Sequence, residues 1–118
     1  MRDFAPADLY ETGLKERAAI VERAFGSFDP HNLAWQEREQ KDLLSNRNYI
    51  YGEVIFCSFY PLLRLVKPKQ GEVFYDLGCG TGLPSAIASI MFPELAASEG
   101  AEFLESIVIS GQNAIRTI

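Results

Sequence analysis

The residues best suited to chemistry lie in one short run, Asp76-Leu77-Gly78-Cys79-Gly80-Thr81-Gly82, with an acid, Glu99, nineteen positions after Gly80. The run follows the β-prone stretch Val73-Phe74-Tyr75-Asp76-Leu77 and precedes an apolar stretch that starts at Leu83. Three glycines at every second position let bare backbone approach a ligand at the N-terminus of the following helix. An acid at the end of the next strand can accept hydrogen bonds from the hydroxyls of a ribose.

Two ligand chemistries compete for such a loop. The dinucleotide fingerprint G-x-G-x-x-G places its third glycine where this chain has Leu83, and here the glycine falls at Gly82 instead. Asp76 also precedes the loop, where a carboxylate repels a pyrophosphate but helps to hold the ammonium group of a methionine-like cofactor. Nicotinamide chemistry is the poorer fit.

The flanking sequence supplies the elements that must position this loop. Residues 6–25 carry Tyr10, Leu14, Ala18, Val21 and Phe25 at helical spacing, with Gly26 as a stop. Asp29-Pro30 reads as a turn, and residues 33–44 as a polar helix whose QEREQKD run forms a solvated face. Residues 46–51 read as a loop, 54–66 as a buried helix kinked or restarted at Pro61, and 67–71 as a turn. A strand over 73–77, a helix over 83–91 with Pro84 in its first turn, a strand over 95–98 closed by Glu99-Gly100, and a helix from about Ala101 complete the chain. Strand, glycine loop, helix, strand, helix is the opening of a doubly wound α/β sheet.

EVFYDLGCGTG, a helix and then LAASEG resemble the first and second cofactor motifs of class I, Rossmann-like S-adenosylmethionine-dependent methyltransferases. The resemblance covers about the last fifty residues. It implies S-adenosylmethionine as cofactor, Asp76 near the methionine amino group, Gly78, Gly80 and Gly82 beneath the cofactor, and Glu99 on the ribose hydroxyls. NYIYGEV, an apolar helix and KPKQGEVFYDLGCGTG are further similar to the non-SET histone-lysine methyltransferases of the disruptor-of-telomeric-silencing family. That similarity implies that Tyr51, Gly52 and Glu53 fold over the cofactor and that the acceptor is a histone lysine. The chain departs from that family at Val54, where a hydroxyl is common, and at Leu83, where Gln is common.

The expected organisation is a helical region, 1–66, with a cofactor-covering loop near 49–53, and the first half of a Rossmann-like domain, 67–118. The class I fold uses about seven strands, so an incomplete, truncated chain is expected, inactive by itself and prone to self-association through its first strand. No residue offers itself for aligning or deprotonating the acceptor. His31 reads as a surface histidine in a turn, and Cys79 as a loop position used for its backbone.

Bulk properties bound the alternatives. A length of 118 residues fits one small domain, and 47% apolar content can fill its core. A net charge of −5 disfavours a broad nucleic-acid-binding face on this segment. The two cysteines fit no metal-ligand spacing and read as reduced thiols. No stretch reads as a membrane span or a secretion signal, which points to the cytoplasm or nucleus. A methyltransferase acting on a small molecule or an RNA, and a non-catalytic cofactor- or partner-binding module, are the alternative functions.

Overall fold

The computed structural model describes residues 13–118; the portion of the first expected helix over residues 6–12, including Tyr10, lies outside the described residues. Five helices and two strands follow in the order α1 (Leu14–Phe25), α2 (Pro30–Gln40), α3 (Phe56–Val66), β1 (Val73–Leu77), α4 (Leu83–Met91), β2 (Ala97–Ala101) and α5 (Glu105–Arg116). A single 3₁₀ turn, Arg47–Tyr49, precedes α3. β1 and β2 pair in parallel from Val73 opposite Ala97 to Leu77 opposite Ala101. The β1–α4–β2 crossover is the opening of a Rossmann-like α/β sheet, as the alternation of elements in the sequence implies.

Local chemistry explains most boundaries. Asp29 is the N-cap of α2, its side chain accepting the Asn32 N–H, and Pro30 fills the first helical position, so Asp29-Pro30 starts a helix instead of forming a free turn. Pro61 lies inside α3, which continues as one helix through Val66 and buries Phe56, Pro61 and Leu63. β2 departs most from expectation. It begins at Ala97, two residues later than the sequence suggests, and runs through Glu99 and Gly100 to Ala101. Ala-Ser-Glu-Gly-Ala has little β propensity, so the ladder with β1 imposes this strand.

One core joins the helical region to the sheet. Val21 and Phe25 of α1, Phe56 and Leu63 of α3, Ile87 of α4 and Ala114 of α5 share a single buried cluster, which runs across the turn between α3 and β1. A second cluster joins Ala34 of α2 to Leu104 and Ile107, with Leu33 and Tyr51 packed on it.

Glu37 corrects the reading of the QEREQKD run as solvated. This residue is buried, accepts the backbone N–H groups of Glu105 (2.9 Å) and Ser106, and receives Lys41 Nζ at 3.0 Å. It thereby caps α5, whose own N-cap residue, Leu104, has no side-chain acceptor. Burial by itself would raise the Glu37 pKa, but the hydrogen bonds from Ser106, Lys41 and Glu105 outweigh it and hold the carboxyl below its ordinary range. Helical periodicity marks an apolar face; it gives no sign of a carboxylate turned inward to serve another helix.

Two outcomes are expected. Glu37→Gln should cost about 1–3 kcal/mol in urea denaturation at neutral pH, since it removes the charge from a buried acceptor of several donors. Because the folded pKa is depressed, this advantage of the native chain is full above the unfolded value of roughly 4.3 and lost as pH falls through the lower folded value. An unchanged midpoint would refute the capping role. The second outcome concerns β1, which among the described residues pairs only with β2. On its open face Val73, Tyr75 and Leu77 are 57%, 54% and 82% exposed, and no Pro or Lys blunts the edge. Sedimentation at micromolar concentration is expected to show a dimer or larger species, and a monomer would mean that this edge does not self-associate.

Candidate functional site

The glycine loop lies at the C-terminal end of β1, where the parallel strands open outward. Gly78, Gly80 and Gly82 have φ of 83°, 56° and 86°, a left-handed conformation that side chains with a Cβ rarely adopt. This is why glycine recurs at alternate positions. The loop is tied to β2 by the N–H groups of Gly78 and Cys79, which both donate to the Ala101 carbonyl at 2.8 and 3.0 Å. Gly82 then becomes the N-cap residue of α4.

Beside the loop is a cleft of about 420 Å³, within the usual range of small-molecule sites. Gly78 and Leu77 form one side of it, the segment Asn48 to Gly52 another, and Ala101 to Leu104 a third. The Tyr49 and Phe103 rings lie 4.7 Å apart at this boundary. None of the residues lining the cleft is basic.

The acid at the end of β2 is Glu102, and the sequence reading missed it. Its Oε2 accepts the Gly80 N–H at 3.0 Å, and its Oε1 accepts the N–H groups of Phe103 and Leu104 at 2.8 and 3.1 Å. Glu99, expected at the strand end, is instead the third residue of β2, exposed and opposite Tyr75. Its neighbour Ser98 turns toward α4, where its hydroxyl donates to the Ser85 carbonyl, so strand alternation directs the Glu99 side chain to the opposite face. Glu99 lies outside the cleft lining. The register points to Glu102, because the residue level with Gly78 is the one just after Ala101.

Tyr51, Gly52 and Gly78 line the cleft, whereas Glu53 and Asp76 beside the loop, and Gly80 and Gly82 within it, do not. A Cβ on Gly80 would sit 2.7 Å from Cε2 of the Tyr51 ring, so ring and loop are in contact. The buried Tyr51 hydroxyl has no hydrogen-bond partner among the described residues, and burial, reinforced by Glu53, pushes its pKa far above the ordinary phenol range. Glu53 Oε1 accepts the Thr81 hydroxyl at 3.2 Å. Asp76 is half-buried, and burial together with the Glu102 charge raises its pKa. Burial, then Asp76 and Glu102, likewise raise the Cys79 thiol, which keeps it protonated and a poor nucleophile near neutral pH. His31 is exposed as expected but is the second residue of α2, its ring edge-on to Tyr51 at 4.8 Å.

A further residue the sequence did not flag is Gly111. A Cβ there would overlap the Thr81 carbonyl, so α5 meets the loop backbone directly at this position.

No family model matches the chain, and no solved structure matches it. Among curated proteins it is similar to methyltransferases. It is 22% identical over 95 residues to the ribosomal RNA small subunit methyltransferase G of Streptococcus gordonii, covering 78% of this chain and 40% of that protein. The namesake from Streptococcus pyogenes serotype M12 is 23% identical over the same shares, and that of Streptococcus pneumoniae serotype 19F is 27% identical over 63 residues, 53% of this chain and 27% of the relative. The chain thus spans about two fifths of the length of the first of these relatives. No helix among the described residues is long and apolar enough to cross a membrane.

The Gly111 contact sets a test of the loop's support. Gly111→Ala should destabilise the protein by about 3 kcal/mol in urea denaturation, since neither backbone segment can yield cheaply. Gly52→Ala, where a Cβ meets nothing within 4 Å, should stay within about 0.5 kcal/mol. Equal effects would mean that α5 does not brace the loop.

Proposed function

We propose that the cleft binds S-adenosylmethionine and that this chain is the cofactor-binding part of a methyltransferase acting on RNA. The observation that carries the reading is Glu102, held by three backbone N–H groups beside the left-handed glycine loop and lining the cleft.

The residues present fit the cofactor. Gly78 has φ of 83° and open space where a Cβ would stand, which leaves room for a ligand against the backbone. The cleft is lined by a carboxylate and no basic side chain, so it suits a ribose and a cationic sulfonium better than a pyrophosphate. Glu102 would accept from the ribose hydroxyls, Tyr49, Phe103 and Leu104 would offer apolar surface to a base, and Asp76 would lie toward the ammonium end. When bound, the cofactor supplies a methyl group on a positively charged sulfur. The chain's own part is to fix the ligand's orientation and to keep water from it with the 50–55 segment.

The choice of acceptor rests on the relatives, whose names specify ribosomal RNA. They favour RNA over the histone-lysine acceptor that Tyr51-Gly52-Glu53 implied. The histone reading keeps one observation in its favour, the placement of Tyr51 and Gly52 along the cleft beside the glycine loop. The net charge of −5 and the two carboxylates suit this segment to the cofactor side of the reaction rather than the RNA-facing side.

Calorimetry with S-adenosylmethionine separates the two acids. Glu102→Gln should weaken binding by roughly 1.5–3 kcal/mol, about ten- to a hundredfold, while Glu99→Gln leaves it unchanged. The reverse pattern would return the ribose role to Glu99. Transfer of labelled methyl to ribosomal RNA, and not to histones, by the full-length protein is the expected acceptor result; labelling of histones alone would overturn the RNA reading.

A further inference from the structure

The 50–55 segment, between the 3₁₀ turn and α3, has no regular secondary structure of its own. It meets the glycine loop at two points. One is the Tyr51 ring against Gly80, an apolar contact with little directional preference. The other is the Thr81 hydroxyl, which donates to Glu53 Oε1 at 3.2 Å across 28 residues of sequence. Thr81 is only 4% exposed, so water cannot readily replace this partner, and a β-branched side chain has few ways to turn its hydroxyl elsewhere. Glu53 itself is exposed. The buried Tyr51 hydroxyl belongs to the same segment, and burial, then the neighbouring Glu53, raise its pKa. In the loop Gly-Cys-Gly-Thr-Gly, then, the glycines supply backbone conformation and Thr81 supplies a tether.

We propose that Thr81 is a positioning residue, whose hydroxyl holds Glu53, and through it the 50–55 segment, closed along the cleft. Thr81 does not line the cleft; it acts by setting how much of the time that side stays in place. A ligand that requires the closed form binds with an apparent affinity reduced by the fraction of molecules that are open. Loss of the tether therefore reaches the ligand without loss of any contact to it. The link from tether to affinity rests on the reading of the cleft as the S-adenosylmethionine site; the tether itself does not.

Limited proteolysis of the ligand-free protein by chymotrypsin, comparing Thr81→Val and Thr81→Ser with the native chain, tests it. Thr81→Val keeps the shape and removes the hydroxyl, so cleavage after Tyr51 should be about tenfold faster, while cleavage after Tyr75 in β1 is unchanged. Thr81→Ser should restore the native rate. Unchanged cleavage after Tyr51, or an equal acceleration after Tyr75, would overturn the positioning role. S-adenosylmethionine affinity measured on the same three proteins should fall about tenfold for the valine variant and recover for serine. Faster cleavage after Tyr51 with unaltered affinity supports the tether and overturns the link to the cofactor site.

Discussion

The Glu102 carboxylate is the point on which the site turns. It gathers the N–H groups of Gly80, Phe103 and Leu104, so the glycine loop after β1 and the turn after β2 share one acceptor. Those N–H groups belong to irregular backbone with no ladder partner, and leaving one unsatisfied and buried would cost about 1–3 kcal/mol. The left-handed glycines bring the loop close enough to use Glu102, and the parallel pairing of β1 with β2 sets the carboxylate at the loop's level. Burial is the larger cause of the raised pKa of Asp76 and Cys79, and the charge of the same group adds to it in both. A structural bond and an electrostatic field thus come from one side chain, and the cleft is acidic as a consequence.

Support for that junction comes from helices remote in sequence. Gly111 lets α5 press on the backbone of Thr81, and Glu37 fixes the start of α5 by accepting its first N–H groups. α2 therefore acts on the loop through α5, although no α2 residue lines the cleft. Tyr51 closes the circuit: it packs against the cluster formed by Ala34, Leu104 and Ile107, meets His31 of α2 by its edge, and touches Gly80 with its ring. The helical region and the sheet are thus a single supporting frame.

The glycine loop, β1 and α4 were legible in the sequence because each is dictated locally: positive φ demands glycine, VFYDL is β-prone, and LPSAIASIM is an apolar helix with a proline in its first turn. The contact of Tyr51 with the loop has no local signal, since the ring is held there by packing against Ala34, Leu104 and Ile107. What stayed hidden depends on distant partners. β2 has the composition of a loop and is a strand because β1 pairs with it, so an expectation built on propensity stopped early and put Glu99 at the strand end, where the structure has Glu102 just after it. Glu37 sits in a run of charges that looks solvated, and its burial depends on a helix sixty-eight residues away. Gly111 carries no turn signal, since its requirement is the carbonyl of Thr81 pressed against it.

Amide chemical shifts followed by NMR during titration with S-adenosylmethionine test whether the cleft beside the glycine loop is the proposed binding site. Perturbations should gather at Tyr49 to Gly52, Leu77 to Gly82 and Ala101 to Leu104, and saturate together with one dissociation constant. Perturbations centred instead on the smaller cavity of about 220 Å³ between α4 and the end of α5, at Ser85, Ser89, Ser98 and Ile115, would contradict it, as would a titration that moves no resonance.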